Sequence, residues 1–458
     1  MASIQLNTKL SSVISWGVCW VFLITVLWTG HNLERWKTSQ VIRWDASGYY
    51  CYLPAVFIYH DLFHAQFLPE VSQKYRPADS EFFYAMHPLP NGKVVDKYTL
   101  GVAVLELPFF LLGHIYALNS GQHPPDGWSL PYQTAILLSG IMYGFWGLYF
   151  LRKILRLLLP EPITAITLFA IAFATNFFYY ALIEGGLSHI YLFFGHAVML
   201  YNMICWYKYG YKLSNLLWVS AAIAWAMMCR PTEIFVVLLP LLYGVTKISD
   251  LPKQIRLLGQ HKYKILLALL VGLAVLSPQL LYWKLSTGSW IFYSYVGEGF
   301  DFAHPHIIDG LFSYRKGWFL YTPLALLIPV GIVALWFEGK GKPWALSSSL
   351  FFVLYIYVTF SWTTWAYGGS FGARALVQAL PIFSIAIGFL LHRLAAVSKL
   401  LLGIAVLFIV ACAALNLFQT HQYHKGILVW DNMNKAYYWR IFGKTSVTEE
   451  DRKLLRWW

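Results

Sequence analysis

Long apolar stretches recur along almost the whole chain, and short polar segments separate them. A helix needs roughly 20 mainly apolar residues to cross a bilayer, so such stretches predict transmembrane helices. Eleven stretches fit this pattern, at residues 13–30, 131–151, 164–182, 187–206, 214–229, 232–246, 264–284, 318–336, 344–361, 375–391 and 399–417. The pattern predicts an all-α polytopic membrane protein.

A twelfth apolar stretch, residues 99–118, is ambiguous from its hydropathy alone. Lysine and arginine favour the cytoplasmic side in short loops. If residues 99–118 crossed the membrane, Arg152, Lys153 and Arg156 would lie on the outer side. We therefore predict that this stretch is a juxtamembrane or re-entrant helix on the outer side and that the N-terminus is cytoplasmic.

This topology leaves three long segments on the outer side, at residues 31–130, 285–317 and 418–458. The predicted organisation is one transmembrane domain at residues 1–417, which includes the first two segments, followed by a short C-terminal outer tail. The tail is too short to bury much of a core by itself, so we expect it to pack on the bundle or to lie on the membrane.

Composition supports the membrane assignment and excludes other classes. The 458 residues are 58% hydrophobic and 12% charged, and the mean hydropathy is +0.54. The net charge of +13 comes from basic residues that lie mostly between apolar stretches, which argues against nucleic acid as a partner. Five cysteines show no paired spacing, so neither a disulfide framework nor a cysteine metal motif is indicated.

Two acids follow predicted membrane helices on the outer side. Asp45 stands in "RWDASGYY" after the first span, and Glu184 stands with His189 in "IEGGLSH" between the third and fourth spans. Asp45 is interpreted either as the cap of an interfacial helix or as a general base in a cleft, and the two roles are compatible. Glu184 is either a solvated turn residue or a second acid of that cleft, and His189 is either a hydrogen-bonded core histidine or part of the site.

Four cations lie at the same predicted depth: Lys97 before the ambiguous stretch, and Arg230, Arg315 and Arg374 at outer boundaries of spans. Each alone is typical of an interface anchor. Together with the acids they indicate an anionic ligand in a cleft at the membrane surface, because a guanidinium matches phosphate oxygens in geometry and an ammonium supplies a point charge.

Other chemistry has weaker signals. The sequence contains neither a P-loop nor a dinucleotide fingerprint, which argues against a soluble nucleotide-activated substrate. His304 and His306 in "HPHIID" are possible metal ligands without a third fixed ligand. A divalent metal is left open, and no other cofactor is predicted.

The motifs "RWDASGYY", "DKYTLGVAVLELPFF", "LRKIL", "CRPTEIFVVLLPLLYGVTK" and "GGSFGARALVQALP" together resemble the GT-C superfamily of polytopic glycosyltransferases. The resemblance covers most of residues 10–417 and is greatest to the branch of protein O-mannosyltransferases and the lipid A aminoarabinose transferase. It implies a GT-C-like bundle of about 11 transmembrane helices with outer juxtamembrane helices.

The resemblance also implies a reaction, namely transfer of a sugar from a polyprenyl-phosphate-linked donor to an acceptor hydroxyl at the outer face of a membrane, here a bacterial inner membrane. The acceptor, a glycan, lipid or protein, stays open. The residues expected to act are catalytic Asp45 and Glu184; Lys97, Arg374, Arg230 and Arg315 at the donor phosphate; and Trp44, Tyr49, Tyr50 and His189 at the sugar or acceptor. The alternatives are a transporter or lipid-linked-sugar flippase without transferase activity and a nonenzymatic membrane scaffold.

Overall fold

The computed structural model describes residues 13–38, 40–76 and 83–455, and these residues are mostly helical. The predicted cytoplasmic N-terminus and the last three residues of the predicted tail lie outside this part. The α-helices are α1 Val13–Asn32, α2 Asp45–Phe57, α3 Leu68–Tyr75, α4 Gly101–Ser120, α5 Leu130–Leu158, α6 Glu161–Phe173, α7 Phe177–Leu182, α8 Ser188–Lys208, α9 Leu213–Cys229, α10 Leu238–Leu242, α11 Leu251–Gln260, α12 Lys262–Thr287, α13 Ile307–Phe312, α14 Trp318–Tyr321, α15 Leu327–Phe337, α16 Lys342–Phe360, α17 Leu380–Val397, α18 Lys399–His424, α19 Lys435–Ile441 and α20 Glu449–Arg452.

Short elements connect these helices. Strands β1 Met86–Pro88 and β2 Val94–Asp96 pair antiparallel, with Met86 opposite Asp96. The 3₁₀ helices are Arg35–Lys37, Pro231–Val237, Ile248–Asp250, Pro323–Leu326 and Arg374–Ala379. The small sheet ends directly before Lys97, so it fixes the position of that lysine.

Eight helical segments of the described residues are long and apolar enough to cross a membrane. They are Val13–Asn32, Gly101–Ser120, Leu130–Leu158, Ser188–Lys208, Lys262–Thr287, Lys342–Phe360, Arg374–Val397 and Lys399–His424. All except Gly101–Ser120 match predicted spans, and the other four predicted spans fall on the shorter apolar helices Glu161–Phe173, Leu213–Cys229, Pro231–Leu242 and Pro323–Phe337. The predicted all-α polytopic fold is therefore confirmed.

Helix α4 contains most of the ambiguous stretch, and it contacts helices α9, α8 and α5. Trp225 Nε1 donates to the carbonyl of the first residue of α4 at 2.8 Å, and Tyr191 Oη donates to Glu106 Oε1 at 3.1 Å. Farther along α4, the His114 ring contacts Tyr132 Oη at 2.5 Å. Trp225, Tyr191 and Tyr132 each lie within one turn of an end of their own helix. Helix α4 is long enough to span, and it also packs farther along α5, where the Phe109 ring contacts those of Tyr143 and Trp146. The juxtamembrane or re-entrant placement of this stretch stays a prediction.

The turn between α7 and α8 packs tightly on α5. Gly140 faces Gly185 so closely that a Cβ added to Gly140 would lie 2.4 Å from Gly185 Cα. Only glycine fits at this contact, because a Cβ so close to backbone atoms requires the chain to move. The contact holds the neighbouring Glu184 at the end of the bundle.

The C-terminal tail packs on the bundle, which is one of the two arrangements predicted for it. Helix α18 continues to His424, beyond the predicted end of the last span. Arg315 forms a two-pronged ion pair with Asp431 of the tail, at 2.6 Å and 2.8 Å. The Lys316 ammonium donates to the carbonyls of Ser370 and Trp430. The tail is thereby held against the segment that precedes Arg374.

Candidate functional site

A cavity of about 1250 Å³ opens at one end of the helix bundle. Its wall is assembled from segments that are far apart in the chain but meet at helix ends. Six of the predicted site residues lie on this wall: Trp44, Asp45, Lys97, Glu184, Arg230 and Arg374.

Asp45 is the first residue of α2, and its two carboxylate oxygens have separate partners. Arg374 Nη2 donates to Oδ2 at 2.6 Å, and the Tyr84 hydroxyl donates to Oδ1. The N-cap position belongs to Trp44, so Asp45 is not the capping residue. This corrects the capping interpretation: a negative side chain in the first turn still suits the helix dipole, but its hydrogen bonds join other segments.

The surroundings of Asp45 set its protonation. Burial by itself raises the pKa of the carboxyl, but the charge of Arg374 and the hydrogen bond from Tyr84 outweigh it and hold the pKa at about 2. Burial, followed by the charge of Asp45, raises the pKa of the Tyr84 hydroxyl. Asp45 is therefore ionised and Tyr84 is a neutral donor across the physiological pH range.

Lys97 is buried beside the cavity, with 7% of the residue exposed. Its ammonium pairs with Glu298, and it lies 5.3 Å, 5.6 Å and 5.2 Å from the ring centroids of Tyr84, Tyr98 and Tyr295. Aromatic faces stabilise a cation without neutralising it. An anionic ligand that binds Lys97 must therefore compete with the carboxylate of Glu298.

Two arginines complete this side of the wall. The Arg230 guanidinium lies 5.8 Å from the ring centroid of Tyr367. Arg374 is 8% exposed, and its Nε has no hydrogen-bond partner among the described residues. The preceding Gly372 has φ +62°, a left-handed conformation that turns the chain into the 3₁₀ helix opened by Arg374.

Glu184 lies in the turn between α7 and α8 and accepts a hydrogen bond from Tyr179 Oη at 3.0 Å. Burial raises the pKa of its carboxyl above the usual value, and the charge of Arg374 opposes that shift without cancelling it. Glu184 therefore holds a proton more readily than Asp45 does. Asp45 and Glu184, two acids of the same cavity, therefore differ in how readily they take up a proton.

The structure places Arg315 and His189 away from the cavity wall. The guanidinium of Arg315 is committed to Asp431. His189 is buried, and its Nδ1 lies 2.6 Å from Oε1 of Gln378, a residue that does line the cavity. Neither residue lines the cavity, so the structure gives no support for the predicted contacts of Arg315 with phosphate and of His189 with sugar or acceptor.

Tyr49 and Tyr50 face the core, whereas Trp44 of the same segment is 43% exposed. Tyr50 donates to the carbonyl of Gly127 at 2.5 Å, and the ring of Tyr49 packs 4.5 Å from that of Tyr98. Their positions on α2 bury them, so the predicted stacking of these two rings on a sugar is not available in this arrangement. Other tyrosines line the wall, among them Tyr84, Tyr98 and Tyr295, which surround Lys97.

Among the described residues, no group of three or more His, Cys, Asp and Glu side chains could hold a metal ion. Each candidate histidine pairs with a nearby acid instead. His304 lies 3.1 Å from Asp301, and His306 lies 3.5 Å from Asp309.

No protein-family model and no curated protein sequence matches this chain. Its fold is similar to that of ArnT from Cupriavidus metallidurans in the apo state, with 17% identity and a TM-score of 0.47. It is also similar to the same protein bound to undecaprenyl phosphate, with 15% identity and a TM-score of 0.49. Each match covers 84% of this chain and 63% of ArnT, so the chain spans less than two thirds of the length of ArnT. ArnT is a lipid A aminoarabinose transferase of the GT-C type, the class that the sequence motifs resemble.

Proposed function

We propose that this chain is a membrane glycosyltransferase that moves a sugar from a polyprenyl-phosphate-linked donor to an acceptor hydroxyl. The observation that carries the proposal is the grouping of Asp45, Lys97, Arg230 and Arg374 on one wall of the cavity, at the ends of membrane helices. At this level a phosphate anchored in lipid and a hydroxyl from water can both reach the same charged groups.

The reaction makes two demands on the wall. The bond between the anomeric carbon and the phosphate oxygen breaks, so the departing phosphate keeps the electron pair and gains negative charge. The acceptor oxygen forms a new bond to the anomeric carbon and loses its proton. Fixed cations stabilise the first change, and a carboxylate takes the proton in the second.

We assign the donor phosphate to Lys97, Arg230 and Arg374. The phosphate replaces Glu298 as the partner of Lys97 and draws on the free Nε of Arg374. Arginine and lysine together then surround the leaving group with positive charge.

The acids divide the remaining work. While Asp45 is paired with Arg374, its pKa of about 2 makes it a weak proton acceptor and a good electrostatic partner for positive charge on the sugar. When Arg374 turns toward the phosphate, Asp45 becomes more basic and accepts the proton of the acceptor hydroxyl. Glu184 positions the acceptor and, given its raised pKa, can relay that proton.

The position of the charges separates this proposal from transport. Transporters hold their substrate near the middle of the bilayer, between interrupted helices. Here the charges of the wall lie at helix ends, while Arg152 and Arg156 lie near the opposite end of α5. Because lysine and arginine favour the cytoplasmic side, we assign the cavity to the outer face of a bacterial inner membrane.

The apolar surface of α4 offers a path for the isoprenoid chain. Leu112, Ile115 and Tyr116 are exposed over 65%, 57% and 57% of their surfaces. This surface is part of the helix that begins four residues after Lys97, so a chain lying along it places its phosphate near the ammonium.

Binding of the donor lipid tests the proposal. Native mass spectrometry of the purified protein should show a 1:1 complex with added undecaprenyl phosphate. Lys97→Ala should weaken this complex about tenfold, since a charged hydrogen bond of about 1.5–3 kcal/mol is lost. The matched control Lys93→Ala should bind as wild type does, because Lys93 lies outside the cavity wall. Equal binding by wild type and Lys97→Ala would contradict the assignment.

A further inference from the structure

A second group of basic side chains lines the cavity, separate from the one around Lys97. We call Arg35, Arg43 and His424 the basic corner. Arg35 donates to the carbonyl of Ile183, next to Glu184, and the ring of Tyr423, next to His424, lies 5.1 Å from that of Tyr179, which donates to Glu184. Arg35 opens the 3₁₀ helix that follows α1, Arg43 lies two residues before α2, and His424 is the last residue of α18, so the fold brings them to one cavity.

Arg35 is the most confined member of the basic corner, with 7% of the residue exposed. Its Nη2 donates to the carbonyl of Ile183 at 2.7 Å, and its Nε has no partner among the described residues. Burial lowers the pKa of Arg35; Tyr179 and Glu184 oppose this shift, and the positive charge of Arg43 adds to it. A guanidinium removed from water without a full set of acceptors is unfavourable, and a negatively charged ligand would relieve that cost.

Arg43 adds accessible positive charge beside Arg35. Its Nη1 donates to Gln40 Oε1 at 2.9 Å, and the rest of the side chain is exposed. Within residues 13–38, 40–76 and 83–455, neither arginine forms an ion pair with a carboxylate. Glu184 is the nearby acid, and one of its oxygens already accepts from Tyr179.

The charged side chains of the cavity wall form two groups, one around Lys97 and Asp45 and one at the basic corner. Tyr84 contacts both Lys97 and Asp45, and Asp45 pairs with Arg374. The basic corner lies beside Glu184, since Arg35 donates to the carbonyl of the preceding residue, Ile183. A donor phosphate at Lys97 therefore leaves the arginines of the basic corner unoccupied, because their hydrogen bonds go to other partners.

We propose that the basic corner binds an oxyanion, a phosphate or a carboxylate, that is carried by the acceptor substrate. Its guanidinium groups match the paired oxygens of either group. This inference rests on the proposed function and adds the class of acceptor: a molecule whose reacting hydroxyl lies near Asp45 and Glu184 while its own anionic group is held by Arg35 and Arg43.

Binding of simple oxyanions to protein loaded with undecaprenyl phosphate, the lipid part of the donor, tests the inference. Full-length protein in nanodiscs is saturated with undecaprenyl phosphate and titrated by calorimetry with inorganic phosphate and, separately, with glucuronate. At least one of the two should bind with one further equivalent. Arg43→Gln and His424→Asn should each weaken that binding about tenfold, while Arg43→Lys should recover part of it.

Lys425→Gln is the matched control, because Lys425 is an exposed cation next to His424 that does not line the cavity. It should bind both probes as wild type does. The inference is overturned if neither probe binds to the protein loaded with undecaprenyl phosphate, or if Arg43→Gln binds them as tightly as wild type and Lys425→Gln do.

The same titration separates this inference from the proposed function. If undecaprenyl phosphate does not bind but an oxyanion binds in a manner that depends on Arg43, the donor assignment fails and the anion site stands. If undecaprenyl phosphate binds in a manner that depends on Lys97 and no second anion binds, the donor assignment stands and the anion site fails.

Discussion

Asp45 and Arg374 are 329 residues apart in the chain, and their side chains form an ion pair of 2.6 Å at the centre of the cavity wall. The pair joins the first juxtamembrane helix to the start of the span Arg374–Val397. Both side chains are mostly buried, with 14% and 10% of their surfaces exposed. Breaking such a pair leaves an uncompensated buried charge, so it fixes the wall as well as its charge.

Replacing Asp45 tests its place in the reaction. Asp45→Asn keeps the shape of the side chain and removes its charge, so we expect sugar transfer to fall about 100-fold or more. The same change leaves Arg374 unpaired and should lower thermal stability. The double variant Asp45→Asn with Arg374→Gln removes both charges and should recover stability but not transfer. Wild-type turnover in a folded Asp45→Asn protein would remove Asp45 from the chemistry.

The pair between Lys97 and Glu298 predicts competition for the lysine. Glu298→Gln removes the negative charge that holds Lys97, so undecaprenyl phosphate should bind more tightly, by about tenfold. Native mass spectrometry or calorimetry measures this affinity. Glu450→Gln, which changes an exposed acid of the tail, should leave it unchanged. Weaker binding by Glu298→Gln would show that Glu298 supports the phosphate site instead of competing for it.

Lys316 predicts a pH dependence of stability. Burial lowers its pKa from 10.5 to about 7, so the folded protein binds this proton less strongly than the unfolded chain does. Between pH 7 and pH 10.5 the unfolded state holds more protons, and stability should rise with pH over that window.

Lys316→Met should flatten this slope, since the variant has no proton to release. Apparent melting temperatures at pH 7 and pH 9 measure it, with the exposed Lys425→Met as control. The same slope in Lys316→Met and wild type would assign the pH dependence to another group.

The contact between Gly140 and Gly185 predicts a strong effect of one methyl group. Gly140→Ala forces backbone apart under the turn that carries Glu184, so we expect a loss of about 1–3 kcal/mol in stability. Gly17→Ala is the matched control in α1, where a Cβ meets no atom within 4 Å. It should be neutral or stabilising by up to about 1 kcal/mol, because alanine favours helix. Thermal unfolding in detergent distinguishes the two, and equal stability of both variants would contradict the packing argument.

The spans could be predicted from the sequence because a helix in lipid needs a continuous apolar stretch. Charged residues at the ends of such stretches are rare, because lipid makes them costly, so they could be identified as candidates. Five of the charged residues predicted in this way line the cavity: Asp45, Lys97, Glu184, Arg230 and Arg374. Hydropathy could not predict the partners of α4, since its length and composition are those of a spanning helix.

The partners of those residues could not be predicted. Tyr84, Glu298 and Arg43 act through tertiary contacts, and their local sequence resembles any other outer loop. Tyr49 and Tyr50 are buried, although a sugar contact was predicted for them. Proximity to Asp45 in the chain does not predict which face of α2 is buried. Arg315 pairs with Asp431 of the tail, and this distant partner could not be predicted from the sequence around Arg315.

The central claim is that this chain cleaves the bond between a sugar and a polyprenyl phosphate. The direct measurement incubates the purified protein in nanodiscs with undecaprenyl-phosphate sugars and a glycan and lipid extract of bacterial membranes, and quantifies undecaprenyl phosphate by mass spectrometry. The account predicts that wild type releases undecaprenyl phosphate and that Asp45→Asn releases about 100-fold less. Donor that stays intact with wild type, or that crosses the bilayer with its sugar still attached, would contradict it.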